Sequence, residues 1–207
     1  MTTAPIPADL PQLFCKPPDD CSEVFHIMLP GGELIIRSLC LRIDLDMIHD
    51  WAGRAYSKRF WQLDHLSRDG LGETYRSLLR NLHAHSFIFV FDGYPVAQVD
   101  IYQVLADELS AHVTASPNDC GIHLLMQPPG QSPKNLSFEV LRSFGAYFFS
   151  FDGHGDLYAE PDCRNALANV LAKKAGFEYL RKIQLSYKTA NLYVLTKNRF
   201  HATHQVP

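Results

Sequence analysis

The order of the predicted elements indicates a mixed α/β fold with a central, mostly antiparallel sheet flanked by helices. Two helical segments are expected early in the chain, a β-hairpin follows at mid-chain, and the C-terminal half alternates strand, helix, strand, helix and strand. A doubly wound fold would instead alternate strand and helix throughout and form a parallel sheet. The early helices and the central hairpin therefore favour the mixed arrangement.

The first part of the chain is a proline-rich arm, residues 1–22, and residues 23–207 are expected to form a single domain. A chain of 207 residues is long enough to bury the core of one domain. The arm is too rich in proline for a helix or a central strand. Its prolines are Pro5, Pro7, Pro11, Pro17 and Pro18. Strands are predicted at 24–29 and 34–39, joined by a turn at Pro30-Gly31-Gly32.

Apolar spacing predicts two helices next. Asp44 or Asp46 is expected to cap a helix that carries Met47, Ile48 and Trp51. The second helix has apolar residues at helical spacing, namely Tyr75, Leu78, Leu79 and Leu82. Residues 86–91 and 96–102 then alternate as a β-hairpin around a turn at 92–95.

The C-terminal half supplies three more strands and two helices. Strands are predicted at 120–126, 157–159 and 191–195. The first helix has an apolar face formed by Phe138, Leu141, Phe144 and Phe148, and the second has one formed by Leu167, Val170 and Leu171. The second helix is expected to stop at Gly176-Phe177.

Composition excludes several functional classes. The formal charge of −3 is spread along the chain without a basic stripe, so no nucleic-acid partner is expected. There is no apolar window long enough to span a membrane and no export signal at the N-terminus. Five cysteines without a Cys-x-x-Cys pair argue against a disulfide framework or a zinc ribbon and suit a reducing cytoplasm. We expect a cytoplasmic monomer or homodimer.

Polar residues gather at a strand-to-helix junction, 160–165, where sites often form. Asp162 in that segment is suited to capping a helix, and His123 in a strand is suited to a structural hydrogen bond, so position alone assigns neither residue a catalytic role. Cys120 and His123 lie three apart in a strand and point to opposite faces, so no metal site is expected.

Five motifs, read in order, carry a resemblance to a known family. They are Phe60-Trp61-Gln62, Gly121-Ile122-His123-Leu124-Leu125, Glu160-Pro161-Asp162-Cys163-Arg164-Asn165, Gly176-Phe177 and Gln184-Leu185-Ser186-Tyr187-Lys188-Thr189-Ala190. Over roughly residues 34–200 the chain resembles the siderophore-pathway N-acyltransferases. These form the branch of the GNAT superfamily that includes the aerobactin, alcaligin and desferrioxamine acyltransferases and the mycobactin lysine acyltransferase. The resemblance implies the GNAT fold.

The resemblance also implies a reaction, the transfer of an acyl group from acetyl-CoA or another acyl-CoA to a primary N-hydroxylamine. N-hydroxyputrescine, N-hydroxycadaverine and N6-hydroxylysine are the acceptors of this type, and the product is a hydroxamate. Because a hydroxylamine is mostly neutral at pH 7, the base has to accept a proton during attack, which suits an imidazole. The resemblance assigns that base to His123 and makes Asp162 its partner, and the two residues are open to exchanging roles.

Binding roles follow from the same resemblance. A backbone amide near Leu124 or Leu125 would polarise the thioester carbonyl, and Trp61 would help to wall the acceptor pocket. Asn165 would hydrogen-bond the pantetheine arm or hold the start of the helix. No metal is implied.

The expected pyrophosphate loop is altered in this chain, and two registers are open. Gln127-x-x-Gly130-x-Ser132 matches the glycine pattern loosely, whereas counting back from residue 160 places Lys134-Asn135-Leu136 at the phosphates. In the second register Lys134 would supply a point charge, and Ser137 would cap the helix. This weakened loop keeps two alternatives open, a noncatalytic GNAT-like binding module and an acetyltransferase of an ordinary amine.

Overall fold

The computed structural model describes residues 6–17, 21–29, 31–61, 63–128 and 133–203. The described strands are β1 (Glu23–Leu29), β2 (Gly32–Ser38), β3 (Ala84–Phe91), β4 (Tyr94–Gln103), β5 (Cys120–Met126), β6 (Leu157–Ala159), β7 (Glu178–Gln184) and β8 (Thr189–Leu195). The described helices are α1 (Leu41–Ala52), α2 (Ala55–Trp61), α3 (Arg68–Arg80), α4 (Leu136–Phe149), α5 (Ala166–Lys174) and α6 (Lys197–Thr203).

The eight strands form one sheet in the order β1-β2-β3-β4-β5-β6-β8-β7. β1 with β2, β2 with β3, β6 with β8 and β7 with β8 pair antiparallel, whereas β5 and β6 pair parallel. This mixed, mostly antiparallel sheet with its helices confirms the predicted fold class. The strands predicted at 120–126 and 157–159 have the bounds of β5 and β6.

The chain folds as two compact units, which we call the N unit (residues 16–100 and 124–140) and the C unit (residues 1–15, 101–123 and 141–207). In the N unit, α1 and α3 pack on β3 around a buried apolar cluster. Its members include Leu39, Ile48, Trp51, Leu71, Tyr75, Ile88 and Leu125. The extent of the proline-rich arm and of a single domain after it stays a prediction.

The start of α1 differs from the predicted cap. The N-cap residue is Cys40, and Asp44 lies inside the helix, where its carboxylate accepts hydrogen bonds from the Cys40 amide and from both terminal nitrogens of Arg37 at 2.7–2.8 Å. Asp46 instead pairs with Arg68 at the surface. The prediction of Asp44 as the cap is therefore wrong, because its carboxylate forms an ion pair with Arg37 of β2.

The structure contains one disulfide that the sequence analysis did not predict. Cys21 and Cys40 are bonded, with their Cα atoms 4.7 Å apart. The hairpin of β1 and β2 explains this, because the Ser38 amide donates to the Ser22 carbonyl at 2.8 Å and so places the residue before β1 beside the start of α1. Cys15, Cys120 and Cys163 are free thiols.

The C unit has its own apolar cluster, which includes Val104, Leu109, Tyr158, Ile183, Leu192 and Val194. The predicted apolar face of α5 is wrong: Leu167 is 85% exposed and Val170 is 64% exposed, while Asn169 and Ala172 are buried. Asn169 faces inward because its side-chain oxygen accepts hydrogen bonds from Asn191 and from the hydroxyl of Tyr193, at 2.6 and 2.9 Å. A polar network thus determines which side of α5 is buried.

Candidate active site

Parallel pairing of β5 and β6 brings His123 beside Glu160. The register joins Cys120 to Leu157, and the same offset continues for the next two pairs. Continuing it by one residue places His123 opposite Glu160, immediately after β6 ends. The Nε2 atom of His123 lies 2.5 Å from Oε1 of Glu160. Sheet register, and not proximity in sequence, creates this pair.

Strand β8 fixes the segment that follows Glu160. The Asn191 amide donates to the Pro161 carbonyl at 3.0 Å, and the Cys163 amide donates to the Thr189 carbonyl at 2.9 Å. These bonds hold Glu160 close to the residue that precedes β8, Lys188. Its Nζ atom lies 3.5 Å from the same Oε1 atom that His123 contacts.

The three side chains form a largely buried charged cluster. The exposed fractions are 2% for Glu160, 9% for Lys188 and 35% for His123. Burial by itself raises the pKa of Glu160, but the charges of His123 and Lys188 and hydrogen bonds from His123 and Tyr102 outweigh it and lower the pKa to about 2. Glu160 is therefore ionised throughout the neutral range, and the solvent-accessible member of the cluster is the imidazole.

Tyr102 on β4 packs against this cluster. Its ring centroid lies 5.1 Å from that of His123, and its ring covers Gly121, where a Cβ atom would come within 2.2 Å of the tyrosine. Gly121 is thus required for the close approach of the ring. The Tyr102 hydroxyl and Oε2 of Glu160 are both buried, and hydrogen bonding from Tyr102 helps to hold the pKa of Glu160 down. Burial and the nearby Glu160 charge hold the pKa of Tyr102 well above its ordinary value.

The structure does not join the predicted pair of His123 and Asp162. The Asp162 carboxylate accepts hydrogen bonds from the Arg164 amide and guanidinium at 2.7–3.0 Å, and these bonds lower its pKa. Its carbonyl accepts from the side chain of Asn169 at 2.9 Å. Asn165, not Asp162, is the N-cap of α5, because its side-chain oxygen accepts from the Ala168 amide at 3.1 Å. Asp162 therefore shapes the turn before the helix.

The residues predicted to bind acyl-CoA lie in three places. Leu125 is buried in the apolar cluster of the N unit and Leu124 is half-buried on β5. Lys134 and Asn135 are exposed immediately before α4, which begins at Leu136, so the predicted capping residue Ser137 lies within the first turn instead. Gly130 and Ser132 lie outside the described residues.

Trp61 is the last residue of α2 and is half-buried, with its ring packed against the apolar cluster of the N unit. The structure therefore shows Trp61 in contact with core residues, and its role as a wall of the acceptor pocket stays a prediction.

Two residues of the charged cluster were missed by the sequence reasoning. Glu160 was regarded only as the start of a motif, although its place directly after β6, in register with His123, is the signal that identifies it. Lys188 was named only as part of a motif, yet its side chain is only 9% exposed and contacts Glu160. A lysine in a β-turn carries no sequence signal for burial, since exposure is the common case.

The chemical capacity of the site follows from the orientation of the imidazole. With Nε2 donating to an ionised carboxylate, the proton-accepting lone pair of His123 is on Nδ1, and positive charge on the ring is stabilised by Glu160. This is the arrangement of a general base. In the described part of the chain no group of three or more His, Cys, Asp or Glu residues is placed to hold a metal ion. None of the described helices is long and apolar enough to cross a membrane.

Comparison with known families identifies the class of this protein. Residues 41–185 match the acetyltransferase (GNAT) domain. The match covers more than half of the chain, so the protein belongs to the GNAT acetyltransferase family and is an acyl-CoA-dependent enzyme.

Two characterised relatives lie in the siderophore branch. The chain is 25% identical over 166 residues to the N-hydroxyputrescine acetyltransferase of Acinetobacter baumannii, covering 80% of this chain and 79% of the relative. It is 24% identical over 156 residues to the lysine N-acyltransferase MbtK of Mycolicibacterium paratuberculosis, covering 73% and 69%. Among solved structures, the aminoglycoside acetyltransferase AAC(6')-Ib, in complex with coenzyme A and kanamycin, superposes with a TM-score of 0.74 at 22% identity, covering 82% of this chain and 98% of that chain. The resemblance to the GNAT acyltransferases is therefore confirmed.

Proposed function

We propose that the protein acylates a primary N-hydroxylamine to a hydroxamate in siderophore biosynthesis, in the cytoplasm, with acetyl-CoA or another acyl-CoA as donor. The observation that carries the proposal is the His123–Glu160 pair, which supplies an oriented base for a nucleophile that arrives uncharged. The two siderophore-branch relatives support the acceptor class, N-hydroxyputrescine, N-hydroxycadaverine or N6-hydroxylysine.

In the proposed reaction the hydroxylamine nitrogen attacks the thioester carbonyl directly. The new C–N bond forms, Nδ1 of His123 takes the proton that the nitrogen loses, and the C–S bond then breaks. The protonated imidazole returns that proton to the leaving thiolate, so the base is restored at the end of each turnover. Glu160 stabilises the imidazolium that forms between these two steps. It takes no proton itself, because its pKa of about 2 keeps it ionised.

The donor is expected to bind along β5 and at the start of α4. A backbone amide near Leu124 or Leu125 is proposed to polarise the thioester carbonyl. Lys134 and Asn135 are exposed directly before a helix of 14 residues, where a lysine charge and the helix N-terminus both favour the phosphates of CoA. Gly130 is proposed to contribute a backbone contact to the same phosphates.

Three further residues have supporting roles in the proposal. Asn165 holds the start of α5, as its hydrogen bond to the Ala168 amide indicates. Trp61 is proposed to present one edge of its ring to the acceptor. Asp162 is proposed to act on the site indirectly, by fixing the turn in which Pro161 and Cys163 form their backbone hydrogen bonds with β8. The enzyme is proposed to act without a metal, as a monomer or a homodimer.

The test is free-thiol release from acetyl-CoA and succinyl-CoA by the purified protein. N-hydroxyputrescine, N-hydroxycadaverine, N6-hydroxylysine and their unhydroxylated parents serve as acceptors, and product hydroxamate is measured by its ferric complex. His123→Asn should lower kcat by about 10²- to 10⁴-fold, the usual contribution of a general base. His65→Asn, an exposed histidine, is the matched control and should keep wild-type turnover.

Each outcome decides between the alternatives. Turnover restricted to hydroxylamines supports the proposal and identifies the acceptor. Faster turnover of the parent amines would replace it with an acetyltransferase of ordinary amines. Absence of turnover together with absence of acyl-CoA binding would leave a noncatalytic GNAT-like module.

A further inference from the structure

The turn between β7 and β8 holds Lys188 in a fixed position. The Leu185 amide donates to the Lys188 carbonyl at 2.9 Å, which closes the turn. The turn is also attached to the segment after β4, because the Ser186 amide and hydroxyl donate to the two carboxylate oxygens of Glu108 at 2.6 and 2.8 Å. Lys188 is therefore presented by an anchored turn, and its ammonium contacts the carboxylate of Glu160.

The environment of the Lys188 ammonium is crowded with ionisable groups. Glu160 lies at 3.5 Å and the ring of Tyr187 lies 5.1 Å from Nζ. The phenols of Tyr102 and Tyr187 face the same cluster, and their pKa values are raised by burial, so both stay neutral. Asp107 is also close, and burial raises its pKa. Glu160 is the carboxylate in direct contact with the lysine, and Lys188 shares it with His123.

A buried lysine at this place has a consequence for the acceptor. Its charge is not needed to keep Glu160 in place, since His123 already contacts the same oxygen at 2.5 Å. Two contacts of 2.5 and 3.5 Å to one oxygen atom put the ammonium within about one side-chain length of the imidazole that receives the acceptor proton. A cation arriving at His123 would therefore meet a carboxylate whose negative charge is offset by the ammonium of Lys188.

We propose that Lys188 selects the acceptor by charge: by offsetting the negative charge of Glu160 it withholds from an alkylammonium the attraction that the carboxylate alone would supply, and it leaves a neutral hydroxylamine nitrogen unaffected. This inference rests on the proposed function. An alkylamine has a pKa near that of lysine, about 10.4, and is cationic at pH 7, whereas a hydroxylamine is mostly neutral. At roughly 10 Å and an effective dielectric constant of about 20, the positive charge of Lys188 weakens the binding of a second cation on the order of 10-fold.

The test compares one pair of acceptors that differ by a single oxygen atom, N-hydroxycadaverine and cadaverine. kcat/KM is measured for both with the wild type, Lys188→Gln, Lys188→Arg and the control Lys182→Gln, which removes an exposed lysine of β7. The neutral fraction of each acceptor in solution does not depend on the enzyme variant. Any change in the ratio of the two kcat/KM values between variants is therefore caused by the protein. We expect Lys188→Gln to raise kcat/KM for cadaverine relative to N-hydroxycadaverine by about 10-fold. Lys188→Arg and Lys182→Gln should keep the wild-type ratio within about threefold.

The outcomes separate this inference from the function on which it rests. If the wild type acylates no hydroxylamine, both are overturned. If the wild type acylates hydroxylamines but the ratio is unchanged in Lys188→Gln, the function stands and charge selection is wrong, even if both rates fall together. Should Lys188→Gln fail to fold, Lys188→Met is measured instead, and the same rise in the ratio is expected. An unchanged ratio in that variant would overturn the inference.

Discussion

Replacing Glu160 by glutamine is the change that most directly tests the proposed site. The substitution keeps the size of the side chain and removes its charge, so the packing of the C unit is retained. It leaves Lys188 with a buried ammonium and no carboxylate partner, and it leaves His123 without the acceptor that orients Nε2. Both stability and rate are therefore expected to fall.

The expected loss of stability can be worked from the pKa. Lowering a carboxyl pKa from 4.5 to about 2 corresponds to about 3 kcal/mol of favourable interaction of the ionised form at neutral pH. Because the folded-state pKa is the lower one, this stabilisation is present above pH 4.5 and is lost as the pH falls towards 2. For a chain of this length, about 3 kcal/mol corresponds to a decrease in Tm of roughly 6–12 °C.

The measurements are thermal unfolding at pH 7 and pH 3 and hydroxamate formation at pH 7. Glu160→Gln should lower Tm at pH 7, show a smaller acid loss than the wild type, and reduce kcat by about 10²- to 10⁴-fold. Glu178→Gln is the matched control, because that carboxylate is 57% exposed in a surface ion pair and contributes little. A Glu160→Gln enzyme with wild-type Tm and kcat within threefold would refute the reasoning.

Three further predictions concern stability. Burial lowers the pKa of His85 to about 4, so below pH 6.5 the unfolded chain binds a proton that the native protein does not. The free energy of unfolding, measured by urea titration, should therefore fall by about 2–3 kcal/mol between pH 7 and 4. His85→Gln should remove this pH dependence. Unaltered pH profiles in that variant would contradict the assignment. Cys21→Ser should cost about 3 kcal/mol in oxidising buffer, as expected for a 19-residue separation, and nothing in reducing buffer; an equal loss in both buffers would show a packing effect instead. Asn165→Ala should cost about 1 kcal/mol by removing the cap of α5, with Asn165→Asp as the control that retains a capping oxygen and most of the stability.

Patterns that depend on local chemistry were predictable from the sequence. The hairpin between β3 and β4 was expected at 92–95, and the structure has Asp92 and Gly93 with positive φ angles of 47° and 83°, as a tight turn requires. Strands β5 and β6 were predicted with their observed bounds because short apolar runs between turn residues favour buried strands.

Features that depend on tertiary partners were not predictable. β7 was missed because its sequence, EYLRKIQ, has a single buried residue, Ile183, and an edge strand can expose the rest. The inward face of α5 was misassigned because Asn169 is buried by hydrogen bonds from Asn191 and Tyr193, which lie more than twenty residues away. Apolar periodicity reports a buried face only when apolar contacts bury it.

The same limit explains why the motif suggested Asp162 where the geometry favours Glu160. The segment carries two carboxylates two residues apart, and each accepts hydrogen bonds. The partners of Asp162 are the backbone amide and guanidinium of Arg164, which is 59% exposed, so this pair is local and stabilises a turn. The partners of Glu160 are His123, in the middle of β5, and Lys188, which directly precedes β8, and they are reached only when β5, β6 and β8 are assembled. Burying a charged group whose partners come from distant elements costs more free energy than forming a local ion pair at the surface. Such a cost is better explained by a chemical role at that position than by folding alone.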